Sequence, residues 1–369
     1  MRRRIPVFIA IVQSILFLVH LVVYLTWTFF WGAMNPSTLL ELRIALAFLS
    51  VSFVAASLLG FLYFNFFVRI FYTLAAVWLG LVNFFFMAAC ACWVVYVVPA
   101  MFGAPIERRP LAIAFFGLAL LVGIYGIVNA SATRVKRVTV KLPGLPESWR
   151  GRTAALVSDW HLGHVRNCGF VRRILKTLTG LRPDVLFITG DLFDGTAMDL
   201  NRLAEPWAGF SLPLGSYFVT GNHEEFSPRE KYIETVERCG IRALNNEKII
   251  LDGLQIVGVH YHESINPEKL RSILQHASLD HNVASILLVH TPDRLAIAGE
   301  AGVSLQLCGH THRGQFFPFT LIVKRIYGQF AYGLQRLGNL TVYTSCGTGT
   351  WGPPFRVGTS PEIVLIRFE

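Results

Sequence analysis

Lysine and aspartate are both absent from the first 131 residues of this 369-residue chain. Only nine formally charged side chains occur there: Arg2, Arg3, Arg4, Glu41, Arg43, Arg69, Glu107, Arg108 and Arg109. So little charge over so long a stretch excludes a water-facing N-terminal domain and marks a membrane domain. The remainder has ordinary soluble composition. Also missing is any C-x-x-C pair among the six cysteines, two of which (Cys90 and Cys92) sit inside an apolar run. That excludes a zinc-thiolate site and a disulfide framework, and most of the six are expected to be small buried hydrophobes. No long basic block with interleaved aromatics occurs in the soluble part, so nucleic acid is not an expected partner. Its 26 basic and 21 acidic groups leave a modest positive balance, which favours an anionic membrane surface or substrate. Repeats and low-complexity segments are absent as well.

What the first 131 residues do contain is four long apolar runs, at about Ile5–Trp31, Ile44–Phe67, Ile70–Val98 and Leu111–Val128. Each reaches or approaches the roughly 20 residues that cross the hydrocarbon core. The first is too long for a signal peptide and lacks a small-residue cleavage site. Pro36, Pro99, Pro105 and Pro110 are expected in the loops, and Arg69 in a tight turn. Basic residues in the flanks (Arg2–Arg4, Arg69, Arg134, Lys136, Arg137 and Lys141 against Arg43, Arg108 and Arg109) point to a cytoplasmic N-terminus and a cytoplasmic soluble domain. A multi-pass protein of the cell (inner) membrane follows. Only His20 is ionisable within a span, so an ion or proton pathway is not expected.

Residues 132–149 read as a linker and first strand, with Val135–Val140 alternating at period two. From 150 to 369 short apolar runs end in chemistry-bearing residues. Thr153–Ser158 ends in Asp159-Trp160-His161. Asp184–Thr189 ends in Gly190-Asp191-Leu192-Phe193-Asp194. Ser216–Thr220 ends in Gly221-Asn222-His223-Glu224. Ser285–Val289 ends in His290, and Val303–Leu307 in Gly309-His310-Thr311-His312. Helical spacing at 171–181, 230–239 and 267–276 alternates with the earlier strands, and a hairpin is expected about Asp252-Gly253. This pattern predicts an α/β domain with mixed sheets, whose strand ends form the ligand edge.

Asp159, His161, Asp191, Asn222, His290, His310 and His312 are all oxygen or nitrogen donors. That set suits Mn, Fe, Zn or Mg rather than a thiolate-seeking metal. Asp-x-His and His-x-His each turn two donors to one side of an extended segment. A single Asp can bridge two cations, and a pair about 3.5–4 Å apart clamps an in-line displacement at phosphorus. His223 stands beside a ligand without being one, placed to face substrate as a general acid. Glu224 or Asp194 is expected to orient its imidazole. His164, His260, His262, His276 and His281 are expected to be surface or satisfied structural residues.

Taken together, Asp159-x-His161, Gly190-Asp191-x-x-Asp194, Gly221-Asn222-His223-Glu224, His290 and Gly309-His310-x-His312 resemble the motifs of the calcineurin-like metallophosphoesterases. The resemblance implies a two-sheet sandwich flanked by helices. It implies one metal on Asp159, His161, Asp191 and His312, and a second on Asp191, Asn222, His290 and His310. His223 would be the catalytic histidine. His290-x-Pro292-Asp293, Gln315 and the ending Gly347-Thr-Gly through Pro-Phe-Arg356 to Pro361-Glu362-Ile363 resemble the membrane-associated YkuE/YaeI-like branch. That branch includes phosphodiesterases and enzymes hydrolysing UDP-2,3-diacylglucosamine. Arg313 and Val259-His260-Tyr261-His262 depart from its pattern, both near the expected site mouth.

The expected function is hydrolysis of a phosphodiester or pyrophosphate in a lipid-linked substrate, such as a UDP-acylated sugar or a phospholipid. Soluble nucleotides or phosphoproteins are the alternative substrates, and a ligand-sensing membrane protein with a non-catalytic fold is a third reading. The expected partners are the lipid bilayer and that phosphate-bearing substrate; oligomeric state is open. Phe316–Arg325 is read either as a segment dipping into the lipid interface or as a packed loop.

Overall fold

The computed structural model describes residues 4–369. Arg2 and Arg3, part of the expected inner-flank charge, lie outside the described residues. The chain divides into two compact units: residues up to Val128 together with Gly352–Phe355, and Asn129–Trp351 together with Arg356–Glu369.

The first unit is built from helices α1 (Arg4–Trp31), α2 (Pro36–Leu62), α3 (Phe66–Met101) and α4 (Arg108–Ser131). All four are long and apolar enough to cross a membrane. The second begins eight positions earlier than the apolar run suggests, because Pro36 occupies its first turn. There a missing N–H removes no intrahelical bond. Glu41 and Arg43 therefore lie inside the helix. Pro99 sits in the last turn of α3 and Pro110 in the first turn of α4, so of the four prolines expected in loops only Pro105 is in one. The α2–α3 connection is three residues, Tyr63–Asn65, and the Asn65 side chain accepts the Val68 N–H. Arg69 is thus in the first turn of α3, not in the turn before it. His20 is closed off: its Nδ1–H donates to the Leu16 carbonyl at 2.7 Å and its Nε2 accepts the Trp78 indole N–H at 2.8 Å. Arg43, Arg108 and Arg109 lie over the rings of Tyr24, Phe29 and Trp31, a cation-and-aromatic girdle of the kind found at a membrane–water interface.

The second unit contains twelve strands. In chain order they are β1 (Arg134–Val140), β2 (Thr153–Val157), β3 (Val185–Thr189), β4 (Ser216–Val219), β5 (Arg242–Ala243), β6 (Glu247–Leu251), β7 (Leu254–Gly258), β8 (Ser285–Leu288), β9 (Leu305–Cys308), β10 (Gly333–Leu337), β11 (Leu340–Thr344) and β12 (Glu362–Phe368). They form two six-stranded mixed sheets, ordered β1-β12-β2-β3-β4-β5 and β10-β11-β9-β8-β7-β6. Strands β2 to β5 run parallel, as do β7, β8, β9 and β11. The expected hairpin is the antiparallel pair β6–β7. The second unit's helices are α5 (Cys168–Leu181), α6 (Leu200–Ala204), α7 (Glu230–Arg238), α8 (Tyr261–Ile265), α9 (Pro267–Ala277), α10 (Leu295–Glu300) and α11 (Phe319–Tyr327).

Period-two alternation explains the layering. On β2, Ala154 and Leu156 enter a core shared by both sheets, whereas Ala155 and Val157 enter a second core with α5 and α7. On β8, Ile286 and Leu288 face the shared core, while Leu287 joins a third with α9 and α10. Strands buried on both faces are largely apolar, with buried Gln255 on β7 and Gln306 on β9 among the exceptions, and the candidate donors fall just beyond their ends.

Candidate metal centre

Because β2, β3 and β4 are parallel, Asp159, Asp191 and Asn222 leave the first sheet at one edge. His290 and His310 leave β8 and β9 of the second sheet likewise. The backbone then turns abruptly. Asp159, His161, Asp191, His310 and His312 all have φ between 46° and 70°, a left-handed region that costs an L-residue of order 1–3 kcal/mol unless its surroundings enforce it. Two glycines permit the close packing between turns. A Cβ on Gly221 would strike Asp191, and one on Gly309 would strike Ser158 and Asp159.

These turns bring the seven candidate donors into two groups. Asp159, His161 and His312 form one, and Asp191, His290 and His310 the other. Asn222 joins the second, its Oδ1 lying 3.1 Å from His310 Nδ1. In the first, His161 Nε2 is 3.0 Å from His312 Nε2, and His312 Nε2 is 3.5 Å from Asp159 Oδ1. In the second, His310 Nδ1 is 3.2 Å from His290 Nε2. Asp191 Oδ2 stands between the groups, 3.2 Å from His290 Nε2 and 3.7 Å from His161 Nε2. A third group of nearby donors, His161, Asp194 and His223, overlaps the first.

Lone-pair donors crowded this closely repel one another unless protons or cations lie between them. Two donors about 2.1 Å from one cation are about 3.0 Å apart at a right angle and about 3.4 Å apart at the tetrahedral angle. The observed spacings fall in or near that interval, so the residues present fit divalent cations.

Surrounding groups fix the orientation of the rings. His290 Nδ1–H donates to the Thr189 carbonyl at 2.8 Å, which turns Nε2 inward. His223 belongs to the third group but to neither of the first two; its Nδ1–H donates to the Asp194 carbonyl at 2.8 Å, and its Nε2 lies 4.0 Å from Asp191 Oδ2. Of the two groups expected to orient His223, Asp194 does so, through its main-chain oxygen. The fully buried Glu224 carboxylate instead accepts the main-chain N–H groups of Asp191, Phe193 and Gly221 at 2.7–2.9 Å. It ties together two loops that carry donors.

Electrostatics sort the groups further. Burial disfavours charge on Asp191, but His290, His223 and His161 outweigh it and hold the carboxyl well below its usual range. Burial also opposes a charged His290, yet Asp191 and Asp159 raise it to about 10. For His223, burial lowers and Asp191 and Asp194 raise, with a net upward shift. Burial and the neighbouring His290 push His310 down to about 3. Burial, then Asp191, lifts Glu224 to about 7.

Several residues of the site carried no role in the sequence reading. Arg356 is completely buried and donates to the carbonyls of His312, Cys346 and Gly349 at 2.6–2.9 Å, bracing the last donor loop. Its signal was present in the Pro-Phe-Arg ending, but carbonyl partners leave no mark on sequence. The rings of Phe226 and Trp351 flank His223 at 4.6 and 5.8 Å, and Tyr261 stands 6.0 Å from His290. Tyr261 belongs to the departing Val259–His262 stretch, which does lie at the site. Its neighbour His260 is a satisfied structural residue, as expected, accepting the Thr220 N–H and pairing with Asn245 Oδ1.

Two mixed sheets whose strand ends deliver nitrogen and oxygen donors beside an oriented imidazole define the class of metal-dependent hydrolases. Residues 153–314 match the family model of calcineurin-like phosphoesterases. The chain is 33% identical over 270 residues to a zebrafish (Danio rerio) transmembrane protein with metallophosphoesterase domain, covering 68% of this chain and 60% of that one. It is 30% identical over 252 residues to an uncharacterised metallophosphoesterase of Campylobacter jejuni, covering 67% and 66%. With the uncharacterised metallophosphoesterase YkuE of Bacillus subtilis it shares 27% identity over 246 residues, covering 63% and 84%. The chain carries a calcineurin-like metallophosphoesterase domain. It spans less than two thirds of the length of the first two of these relatives.

Proposed function

We propose that this protein is a membrane-anchored phosphoester hydrolase that works with two divalent cations. The observation that carries the reading is the Asp191 carboxylate standing between two donor groups with the His223 imidazole beside it. Asp159, His161, Asp191 and His312 would hold one cation, and Asp191, Asn222, His290 and His310 the other. When bound, the pair supplies Lewis acidity and positive charge at phosphorus. The chain's own groups do the rest. Against the effect of burial, Asp191 and Asp194 favour the protonated form of His223. Its ring is anchored at Nδ1, so Nε2 is the atom that gives a proton to the leaving oxygen. Glu224 and Arg356 hold the donor loops, and Phe226 and Trp351 limit water beside the imidazole.

The finer reading is a phosphodiester or pyrophosphate in a lipid-linked substrate, supported by the union of a complete donor set with four apolar helices. The flank charges support a multi-pass protein of the cell membrane with this domain on the cytoplasmic side.

The test uses full-length protein in detergent with Mn²⁺ and a chromogenic phosphodiester. Turnover is expected, and a fall of about 10²–10⁴-fold in His223→Ala with metal content retained. Metal-loaded protein that turns over no chromogenic phosphoester, or an Asp191→Asn variant as active as wild type, overturns the hydrolase reading. Hydrolysis of a lipid extract against free nucleotides and phosphopeptides then decides the substrate class.

A further inference from the structure

Helix α11 reverses the usual arrangement of a surface helix. At 100° per residue, Thr320, Val323 and Tyr327 share the partly covered face, and no residue of the helix is fully buried. Phe319, Ile322 and Ile326 form the adjacent stripe at i, i+3 and i+7, and it is open to the outside, with exposures of 43%, 52% and 67%. Leu321 is exposed as well. Lys324 and Arg325 are exposed at the C-terminal end of the helix. The patch is also concentrated. In the second unit ten large hydrophobic side chains are exposed, and seven of them fall between Phe317 and Leu337. A water-facing domain rarely gathers so much apolar surface in one place without a partner for it.

Two further observations bear on the occupant. Only Ala132 and Thr133 separate α4 from β1, so the domain is covalently held at the end of an apolar, membrane-length helix. A lipid surface is therefore always at high effective concentration, and a weak contact suffices. The apolar stripe ends in two cations, the composition that lies in an anionic lipid interface. The patch also runs on to the candidate centre. Gln315 clamps the Trp351 main chain through both its amide oxygen and its amide nitrogen, Trp351 faces His223, and Tyr327 of α11 stands 6.4 Å from His310.

We propose that α11 is an interfacial docking helix: Phe319, Ile322 and Ile326 enter the lipid interface, and Lys324 and Arg325 contact anionic headgroups. This deepens the lipid-linked reading of the substrate, since the mouth of the centre would open at the headgroup level, but it is tested without measuring catalysis.

Full-length protein lacking its three cysteines that are not buried (Cys90, Cys168 and Cys239) receives a single cysteine, by Ile322→Cys or Ile326→Cys, and an environment-sensitive fluorophore. The control is Ile250→Cys, an exposed position on β6, at the edge of the second sheet opposite β10. The protein is placed at one copy per nanodisc of mixed phosphatidylglycerol and phosphatidylcholine. Expected are blue-shifted emission at 322 and 326, quenching by nitroxide-bearing lipid severalfold stronger than at 250, and shielding from aqueous iodide. Pure phosphatidylcholine, or Lys324→Glu with Arg325→Glu, should weaken that quenching. Iodide access equal to that at 250 overturns the proposal. Shielding from both quenchers in singly loaded discs also overturns it, by placing the stripe against protein. Shielding that appears only with two copies per disc overturns it in favour of self-association. Retained metal content shows that each variant is folded, so failure here leaves the hydrolase reading standing.

Discussion

The two units treat buried imidazoles in opposite ways. In the helical unit, the two nitrogens of His20 meet one acceptor and one donor, and nothing is left over. In the sheet unit, His161 meets His312 nitrogen to nitrogen, and His310 meets both His290 and the oxygen of Asn222. A closed ring contributes to packing alone. An open set of donors needs protons or cations between its members to hold them together. What separates a structural histidine from a ligand is therefore the character of its neighbours more than its burial, since both kinds are buried here.

That contrast is sharpest at Asp191, which adjoins both donor groups. Asp191→Asn is expected to abolish metal uptake by elemental analysis and to lower phosphodiester turnover by at least about 10³-fold. Were metal content unchanged, the open set would be no more than another packing arrangement. Next in size, His223→Ala should cost turnover at the level stated above while both cations remain, because its ring stands outside the two groups proposed to hold them. Arg356→Met tests the support beneath His312 and is expected to weaken metal affinity about 10–100-fold, measured by chelator competition.

Smaller still is the effect of pH on loading. His290, raised to about 10 by its carboxylate neighbours, holds a proton at neutral pH, and a cation must displace it. Loading should then release protons, and affinity should fall as pH is lowered, about tenfold per unit for each proton released. Calorimetry in buffers of different ionisation enthalpy reads that count directly. By linkage, the same raised pKa stabilises the protein without added metal below about pH 6.5, and that contribution is lost as pH rises towards 10. The least effect is expected for His20→Leu, which should leave turnover unchanged in the membrane-reconstituted protein while lowering thermal stability, because it strands the Trp78 indole. A collapse of activity in that variant would break the comparison.

The contrast also explains what could be read from sequence. Strands buried on both faces are largely apolar runs, and the candidate donors follow their ends, so Asp159, Asp191, Asn222, His290 and His310 marked themselves. The membrane-length helices were legible from lack of charge, but not where they begin: Glu41 and Arg43 hid the first turns of α2. Glu224 looked like a partner for His223 because it is adjacent in the chain, yet a 3-10 turn directs its carboxylate to main-chain amides instead. Arg356 acts through three carbonyls, and carbonyls have no sequence identity. Helix α11 escaped as an element because its apolar stripe faces away from the core and Pro318 precedes it, so the segment read as a loop or an interfacial stretch.

The left-handed turns at Asp159, His161, Asp191, His310 and His312 restrict how this centre can change. Among residues with a Cβ, that backbone region is most hospitable to Asn, Asp and His, and those three supply hard or borderline donors. A cysteine would have to adopt a conformation it rarely tolerates, as would any branched side chain. The chain thus narrows its own choice of element through its torsion angles, ahead of any selection by charge or pocket size. Rewriting this centre for a thiophilic metal would require rebuilding the turns first and the ligands second.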